Sequence, residues 1–516
     1  MTHARFQPLW CGFRVFAGVR VFAGVRVFAG VLGFAGVLGF TGVCGVGAAA
    51  SAQAPDREPA LTQQQASDAL RRAVRFFREQ ASASGSYVYR LSEDLAKREG
   101  EGKVGPTTGW IEPPGTPSVG RAYLESYQLT RDPVLLQAAT ETGMALVRTQ
   151  LVSGGWDNGI EFAEEDRRRY AYRVESPTHP SRLRNTTTFD DDKTQSAIRF
   201  LMRLDRVLGF EHQAIHEAAN YALESTLRAQ YPNGAWPQRY QSFPDPADHP
   251  IRAARYPDDW SREFPKPSYA GYYTLNDNTI TDLIRTMLEA HEIYGDDRFR
   301  ESAIRGGEFL LLAQMPPPQP GWAQQYNPEM EPAWARKFEP PAITGGESQG
   351  VMRTLILLFH HTGDERFTDA VAPALEYYQR SQLPDGRLAR FYELHTNRPL
   401  YFTKDYRLTY NSDDMPTHYA FIVGSRLDQI RRDHERATAG GARRPASDLD
   451  PVVPEASATL TRQAAEIVGG LDRRGAWVEA GRMRYHGEDD DTRRVIESRT
   501  FARNLVRLAR FIAAGE

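Results

Sequence analysis

Two short acidic stretches open predicted helices. One reads Thr188-Phe189-Asp190-Asp191-Asp192-Lys193-Thr194-Gln195, and the other Thr274-Leu275-Asn276-Asp277-Asn278-Thr279. Adjacent carboxylates repel one another and persist where a cation or a helix N-terminus balances them. Read singly, Asp190 or Asp191 is a helix cap. Read together, two acidic helix starts facing one cleft make a hard-oxygen cation site. A second chemistry lies in two aromatic loops, Trp334-Ala335-Arg336-Lys337-Phe338-Glu339-Pro340-Pro341 and the stretch from Leu388 to Phe402. Arginine among aromatics either stacks as packing or recognises planar carboxylates. Arg336, Arg390, Arg398, Lys404 and Arg407 together make a cationic patch, as an anionic sugar chain requires.

The elements that must position these groups are mostly helices. Aromatic turns recur after amphipathic segments: Thr149 to Trp156, Ala229 to Trp236, Ala313-Gln314 running on to Gly321-Trp322, Ser381 to Gly386, and Gly470 to Trp477. Each carries a Gly where a left-handed helix end is expected. Trp156, Trp236, Trp322 and Trp477 are 80, 86 and 155 residues apart, with the Gly386 turn inside the last interval. Such a period, with paired helices inside it, predicts helical hairpins repeated around an axis. Expected hairpins run over 118–130 with 133–151, 192–208 with 212–229, 278–294 with 297–314, and 347–361 with 364–382. Helices are also expected over 66–79, 456–471 and 491–513. The architecture implied is all-α, an (α/α) toroid whose long loops gather into a substrate cleft. Trp156, Trp236, Tyr272 and Tyr273 are candidates to line sugar subsites, or to pack in the core.

The chain has 516 residues, 25% charged and 41% apolar, which is globular composition. Its first 52 residues hold Arg5, Arg14, Arg20 and Arg26, no Lys and no acid, and end in Ala48-Ala49-Ala50-Ser51-Ala52. They read as a secretory leader cleaved after Ala52, the alternative being a membrane anchor from Val27 to Ala50. Residues 53–516 then form the toroid domain, with 437–454 as a flexible linker inside it. Both cysteines, Cys11 and Cys44, lie in the leader, so the mature chain offers neither a disulfide nor a thiolate metal site. Removing the four leader Arg from 63 basic residues leaves 59 against 66 acidic ones, net −7. That balance argues against a nucleic-acid partner. A secreted or periplasmic monomer without stable membrane association is expected.

Several of these motifs resemble polysaccharide lyase family 10 pectate lyases. They are the Thr-x-Asp-Asp helix start, Pro232-Asn233-Gly234-Ala235-Trp236-Pro237-Gln238, Asn276-Asp277, Trp334 to Pro340, Gly345-Gly346-Glu347-Ser348, Ala389-Arg390-Phe391-Tyr392-Glu393 with Thr396-Asn397-Arg398-Pro399, and the closing Ser498-Arg499-Thr500-Phe501-Ala502-Arg503-Asn504. The resemblance implies calcium-assisted β-elimination of α-1,4-polygalacturonate. It implies Arg336 as the base, with Arg390 and Lys404 holding the substrate carboxylate. It implies Asp190, Asp191 and Asp277 at Ca²⁺, with Asp190, Arg398, Arg407 and Trp236 contacting substrate. Lys404 departs from the expected Arg and loses the bidentate fork, so Arg398 or Arg407 stands as its substitute. Two other readings remain: an α/α-toroid glycoside hydrolase using the Asp190 and Asp277 pair, and a non-catalytic binder of acidic polysaccharide.

Overall fold

The computed structural model describes residues 61–515. The expected leader, with Cys11 and Cys44, lies outside the described residues. Fourteen helices are described: α1 (Gln63–Phe76), α2 (Thr116–Thr130), α3 (Pro133–Thr149), α4 (Glu164–Arg167), α5 (Lys193–Val207), α6 (Gln213–Ala229), α7 (Thr279–Tyr294), α8 (Asp297–Leu312), α9 (Glu347–Thr362), α10 (Arg366–Asp369), α11 (Val371–Arg380), α12 (Leu427–Gly440), α13 (Ala458–Gly469) and α14 (Ser498–Ala513). Among these residues no helix is long and apolar enough to cross a membrane.

Helices α2/α3, α5/α6 and α7/α8 form the first three expected hairpins. Asp132 and Asp296 cap the second helix of two of them, and Gly295 ends α7 in the left-handed conformation. Helices α2, α5, α7 and α9 pack one on the next, and α14 returns to α2, so the hairpins follow a ring as in an (α/α) toroid. The contacts are close. A Cβ at Gly120 of α2 would sit 2.4 Å from the Phe200 ring of α5.

The fourth hairpin departs from expectation: its second helix breaks into α10 and α11 at Ala370. Pro373 stands in the first turn of α11, where its missing N–H is tolerated only near a helix start. The last expected helix is also shorter. Residues Arg494–Glu497 are a strand between Arg90–Ser92 and Val478–Ala480, with Val495 and Ile496 buried. Branched side chains fit that half-buried sheet better than a helix. Helix α12 was not expected, and its last residues, Ala437–Gly440, overlap the expected linker. Farther along the same stretch, Asp448 and Asp450 pair with Arg203 and Arg206 of α5.

The aromatic turns share one construction. The indoles of Trp156, Trp236, Trp322 and Trp477 donate to the carbonyls of Leu146, Thr226, Leu310 and Ile467, at 3.0, 3.0, 2.7 and 2.8 Å. The amides of Gln150, Gln230 and Gln314 donate within their own turns, to Gly154, Gly234 and Pro320, and across to Ala218, Ser302 and Ala370 of the next hairpin. Each turn thus closes one hairpin and ties it to the next.

The long loops contain short antiparallel strands rather than irregular chain. Thr108–Trp110 pairs with Gly159–Glu161, Thr187–Thr188 with Arg239–Tyr240, Tyr273–Thr274 with Gln325–Tyr326, and Ile343–Thr344 with Phe391–Tyr392. In every case the strand just before α2, α5, α7 or α9 pairs with the strand that follows an aromatic turn. The starts of four helices are thereby brought to the same end of the repeat.

Gly234 tests this packing. Its φ is +90°, and a Cβ there would lie 2.0 Å from the Arg305 carbonyl oxygen. Gly295 has a φ of +71° with nothing within 4 Å. Gly295→Ala should cost only backbone strain, about 1 kcal/mol, and Gly234→Ala at least about 3 kcal/mol by urea unfolding. Equal losses would show that the turn is not packed as described.

Candidate active site

The two acidic helix starts have the same unusual backbone. Asp191 and Asp192 have φ of 47° and 58°, and Asp277 and Asn278 have 49° and 61°. Two successive left-handed non-glycine residues cost roughly 1–2 kcal/mol each. Asp and Asn tolerate that region best. Neither start shows a side-chain cap on its helix, so the capping role for Asp190 or Asp191 is replaced by another. The conformation turns the carboxylates toward one another instead. Oxygens of Asp190, Asp191 and Asp277 all lie within 4.8 Å of each other.

The repeat fixes which residues correspond. The N–H groups of Ile111, Phe189, Leu275 and Gly345 donate to the carbonyls of Asn158, Gln238, Gln324 and Arg390. The next residues, Glu112, Asp190, Asn276 and Gly346, are therefore equivalent, and Asp191, Asp277 and Glu347 follow them. Gln238 donates to Asp190 Oδ1 at 2.9 Å, and Gln324 to Asn276 Oδ1 at 2.6 Å. The true counterpart of Asp277 is Asp191.

The charge balance is uneven. Asp190 Oδ2 accepts from Arg239 at 2.9 Å, and Asp191 Oδ2 from Lys193 at 3.3 Å. Lys193 is buried and reaches Glu112 Oε2 at 2.8 Å. Glu112 is pushed up to about 7 by burial, with Lys193 opposing the shift. Asp277 is pushed up to about 8, first by burial and then by the charges of Asp191 and Asp190, while Arg336 pulls it down. Arg336 lies 3.8 Å from Asp277 Oδ2. Its backbone N–H and its guanidinium both donate to the buried Glu339, and it stacks over Phe338.

Arg390 joins the same network. Its guanidinium bonds Glu347 Oε1 at 2.6 Å, and Gln324 links Glu347 to Asn276 beside Asp277. Lys404 pairs with Asp414 at 3.1 Å and is 66% exposed, so its ion pair is not with the acidic cluster. Arg407 pairs with Asp405 and is 80% exposed, and Arg398 covers the Tyr410 ring at 3.4 Å. The turn of Lys404 and Arg407 still packs beside the Arg336 loop, because Lys337 and Phe338 both meet Tyr406.

The aromatic candidates require correction. Trp236 is 0% exposed, as are Trp156 and Tyr273, so none touches a sugar. Trp236 wedges two helical layers through its bond to Thr226. Tyr272 remains partly exposed. Sequence reading quoted Lys193, Gln238 and Glu347 within motifs without giving them a role, and missed Glu112, Arg239 and Gln324. The signal for Gln238 and Gln324 was present, since each stands two residues after the Trp of its turn.

The hairpins follow a ring, and acidic helix starts and arginines gather at one end of this (α/α) toroid. Residues 150–388 match the family described as pectic acid lyase, so the chain carries a pectic acid lyase region over those residues. The match includes Asp190, Asp191, Asp277 and Arg336, and ends before Arg390. The chain is also similar to a mutant of the family 10 polysaccharide lyase from Cellvibrio cellulosa in complex with trigalaturonic acid, at 18% identity and a TM-score of 0.42, over 63% of this chain and 98% of that one. A second structure of that lyase gives 19%, 0.43, 63% and 96%. An alpha-mannanase from Bacteroides thetaiotaomicron gives 11%, 0.39, 88% and 95%. No curated protein matches the chain.

Asp282, on the first turn of α7, offers a measurement of the crowding. It is pushed up to about 6 by burial and then by Asp192, with Arg199 and Arg285 opposing. A raised carboxyl is neutral in the fold where the unfolded chain has already lost its proton. Its contribution to stability is therefore lost as pH rises from about 4 to 6, by at most about 3 kcal/mol. Asp282→Asn should flatten that part of the stability profile. A stability difference between variant and parent that is constant over this window would show that Asp282 does not titrate as a buried acid.

Proposed function

We propose that the protein is a pectate lyase that cleaves α-1,4-polygalacturonate by calcium-assisted β-elimination, releasing 4,5-unsaturated oligogalacturonates. The observation that carries this reading is the convergence of Asp190, Asp191 and Asp277 with Arg336 beside Asp277. The donor set fits a hard divalent cation, being all oxygen, partly buried and crowded enough to raise Asp277. Asp190, Asp191 and Asp277 would hold Ca²⁺. Both oxygens of Asp190 already accept from Gln238 and Arg239, so Asp191 and Asp277 have more lone pairs to spare. Three carboxylates fall short of the six to eight oxygens that Ca²⁺ takes, so a substrate carboxylate would complete the set.

When bound, the cation would neutralise the substrate carboxylate and acidify the proton on the adjacent C5. Arg336 takes that proton. The C5–H electron pair moves into the developing C4=C5 double bond, and the bond from C4 to the glycosidic oxygen breaks. The leaving oxygen takes a proton from water as the next sugar departs. A guanidinium is ordinarily protonated, so the base role needs a local field that favours the neutral form. Glu339 orients Arg336 through two hydrogen bonds. Arg390, held by Glu347, supplies positive charge for the enolate-like intermediate. Lys404, Arg398 and Arg407 serve the polymer beyond this centre, Lys404 after leaving Asp414. A substrate of this size is met outside the cell, which fits a secreted or periplasmic monomer. The hydrolase reading gains nothing from the cationic loops, because a neutral sugar does not need them.

Polygalacturonate incubated with the protein should develop the ultraviolet absorbance of an unsaturated uronate, and chelator should abolish it. Reducing ends without absorbance would mean hydrolysis. Arg336→Ala should lower kcat about 10²–10⁴-fold while polymer binding survives. Retained turnover would remove Arg336 as the base. Asp277→Ala should depress rate and calcium response together, and an unaltered calcium response would take Asp277 out of the cation site.

A further inference from the structure

A cavity of about 680 Å³ opens beside the acidic cluster. That volume lies within the range of saccharide-sized sites. Arg239 belongs to both places: it lines the cavity and donates to Asp190. The remaining charged lining is Arg169, Arg182 and Arg184 against a single carboxylate, Asp157. Four guanidinia around one acid is an unexpected balance for a chain of net charge −3.

These arginines are not on a loose loop. Ala171 donates to the Arg184 carbonyl at 2.9 Å, and Arg184 to the Arg169 carbonyl at 2.8 Å, so the two positions are held side by side. Arg184 also lies over the Tyr170 ring at 4.8 Å and bonds Asp157 at 3.0 Å. Tyr170 in turn stacks on Tyr172 at 5.1 Å. Among the described residues, Arg169 pairs only with the half-buried Asp166. The Arg182 guanidinium has no ion pair or hydrogen bond among the described residues. Each guanidinium has five donors, and these partners use few of them. Thr186, Thr188 and Gln241 add neutral groups suited to sugar hydroxyls.

We propose that this cavity is a subsite for carboxylate-bearing sugar units of the polymer, away from the unit being cleaved. The proposal rests on the lyase reading for the identity of the chain, but the cavity contributes none of the reacting groups. Its arginines act as planar forks for successive carboxylates. Their role is to raise affinity for long chains and to hold the polymer in register across Asp190.

The test uses the full chain and the double variant Arg169→Gln/Arg182→Gln, both exposed positions, with thermal unfolding as a check on folding. Galacturonate oligomers of increasing length serve as substrates. The parent's gain in kcat/KM with length should shrink by about tenfold in the variant, the scale of one or two charge-assisted contacts. An identical length dependence would overturn the proposal. Calorimetry of the longest oligomer, with chelator present to prevent cleavage, separates the two readings. If the parent makes no unsaturated product yet binds the oligomer more tightly than the variant does, the lyase reading fails and the subsite stands. If inorganic phosphate binds the parent with the same dependence on these arginines while oligomer binding is equal in both proteins, the cavity is a general anion site and the proposal falls.

Discussion

The site depends on one backbone hydrogen bond, made four times. In each case the residue just before a helix start donates its N–H to the carbonyl two residues past an aromatic turn or its equivalent. The donors are Ile111, Phe189, Leu275 and Gly345, at 2.9, 2.8, 2.8 and 2.9 Å. A buried amide left without this partner would cost about 1–3 kcal/mol. The bond therefore sets the distance between one hairpin's turn and the next hairpin's helix start. The Trp indoles hold the turns on their own helices, and the Gln amides hold them on the next hairpin. Carboxylates from α5 and α7 meet within 4.8 Å because two copies of this bond aim two helix starts at the same point.

That convergence runs against electrostatics. Like charges at this separation disfavour one another, and burial makes the repulsion stronger. The structure answers with cations placed around the cluster: Lys193 from the first residue of α5, Arg239 from the strand after Trp236, Arg336 from its own loop, and Arg390 through Glu347. Asp277 receives least, since its one cation sits 3.8 Å away and is shared with Glu339. The strain of two left-handed residues at each start is a further local cost that the surrounding packing sustains. Both features are typical of a place arranged for ligand rather than for stability.

Much of this was legible in the sequence, for identifiable reasons. The hairpins were readable because amphipathic periods and turn residues are local signals. The acidic residues that converge were readable because runs of acid at a helix start are rare without cause. The role of Trp236 was not readable, because an indole that anchors a turn and one that stacks on sugar have the same neighbours in sequence. Burial alone separates them. The partner of Lys404 was hidden for a related reason: sequence supplies a charge but not its partner, and Asp414 lies ten residues away. Glu112 and Lys193 were hidden because their meeting depends on α2 packing against α5. The strand at Arg494–Glu497 was misread as helix because one of its two partners, Arg90–Ser92, lies about four hundred residues away in the chain.

The repeats explain how a symmetric scaffold yields an asymmetric site. Four equivalent positions read Glu112, Asp190, Asn276 and Gly346. The next set read Asp191, Asp277 and Glu347 in the last three copies, while the first copy has proline, Pro113. The holding side chains read Gln238, Gln324 and Arg390. Where the holder is Gln, it satisfies an amide or carboxylate without adding charge, and the following Asp is left without a cation from its holder. Where the holder is Arg390, it pairs with Glu347 and cancels its negative field, so the α9 side adds no net negative charge there. Acid is thus concentrated between α5 and α7, and base toward the loops before and after α9. The proposed lyase chemistry calls for that polarity, and a few changed side chains on one repeated backbone are sufficient to create it.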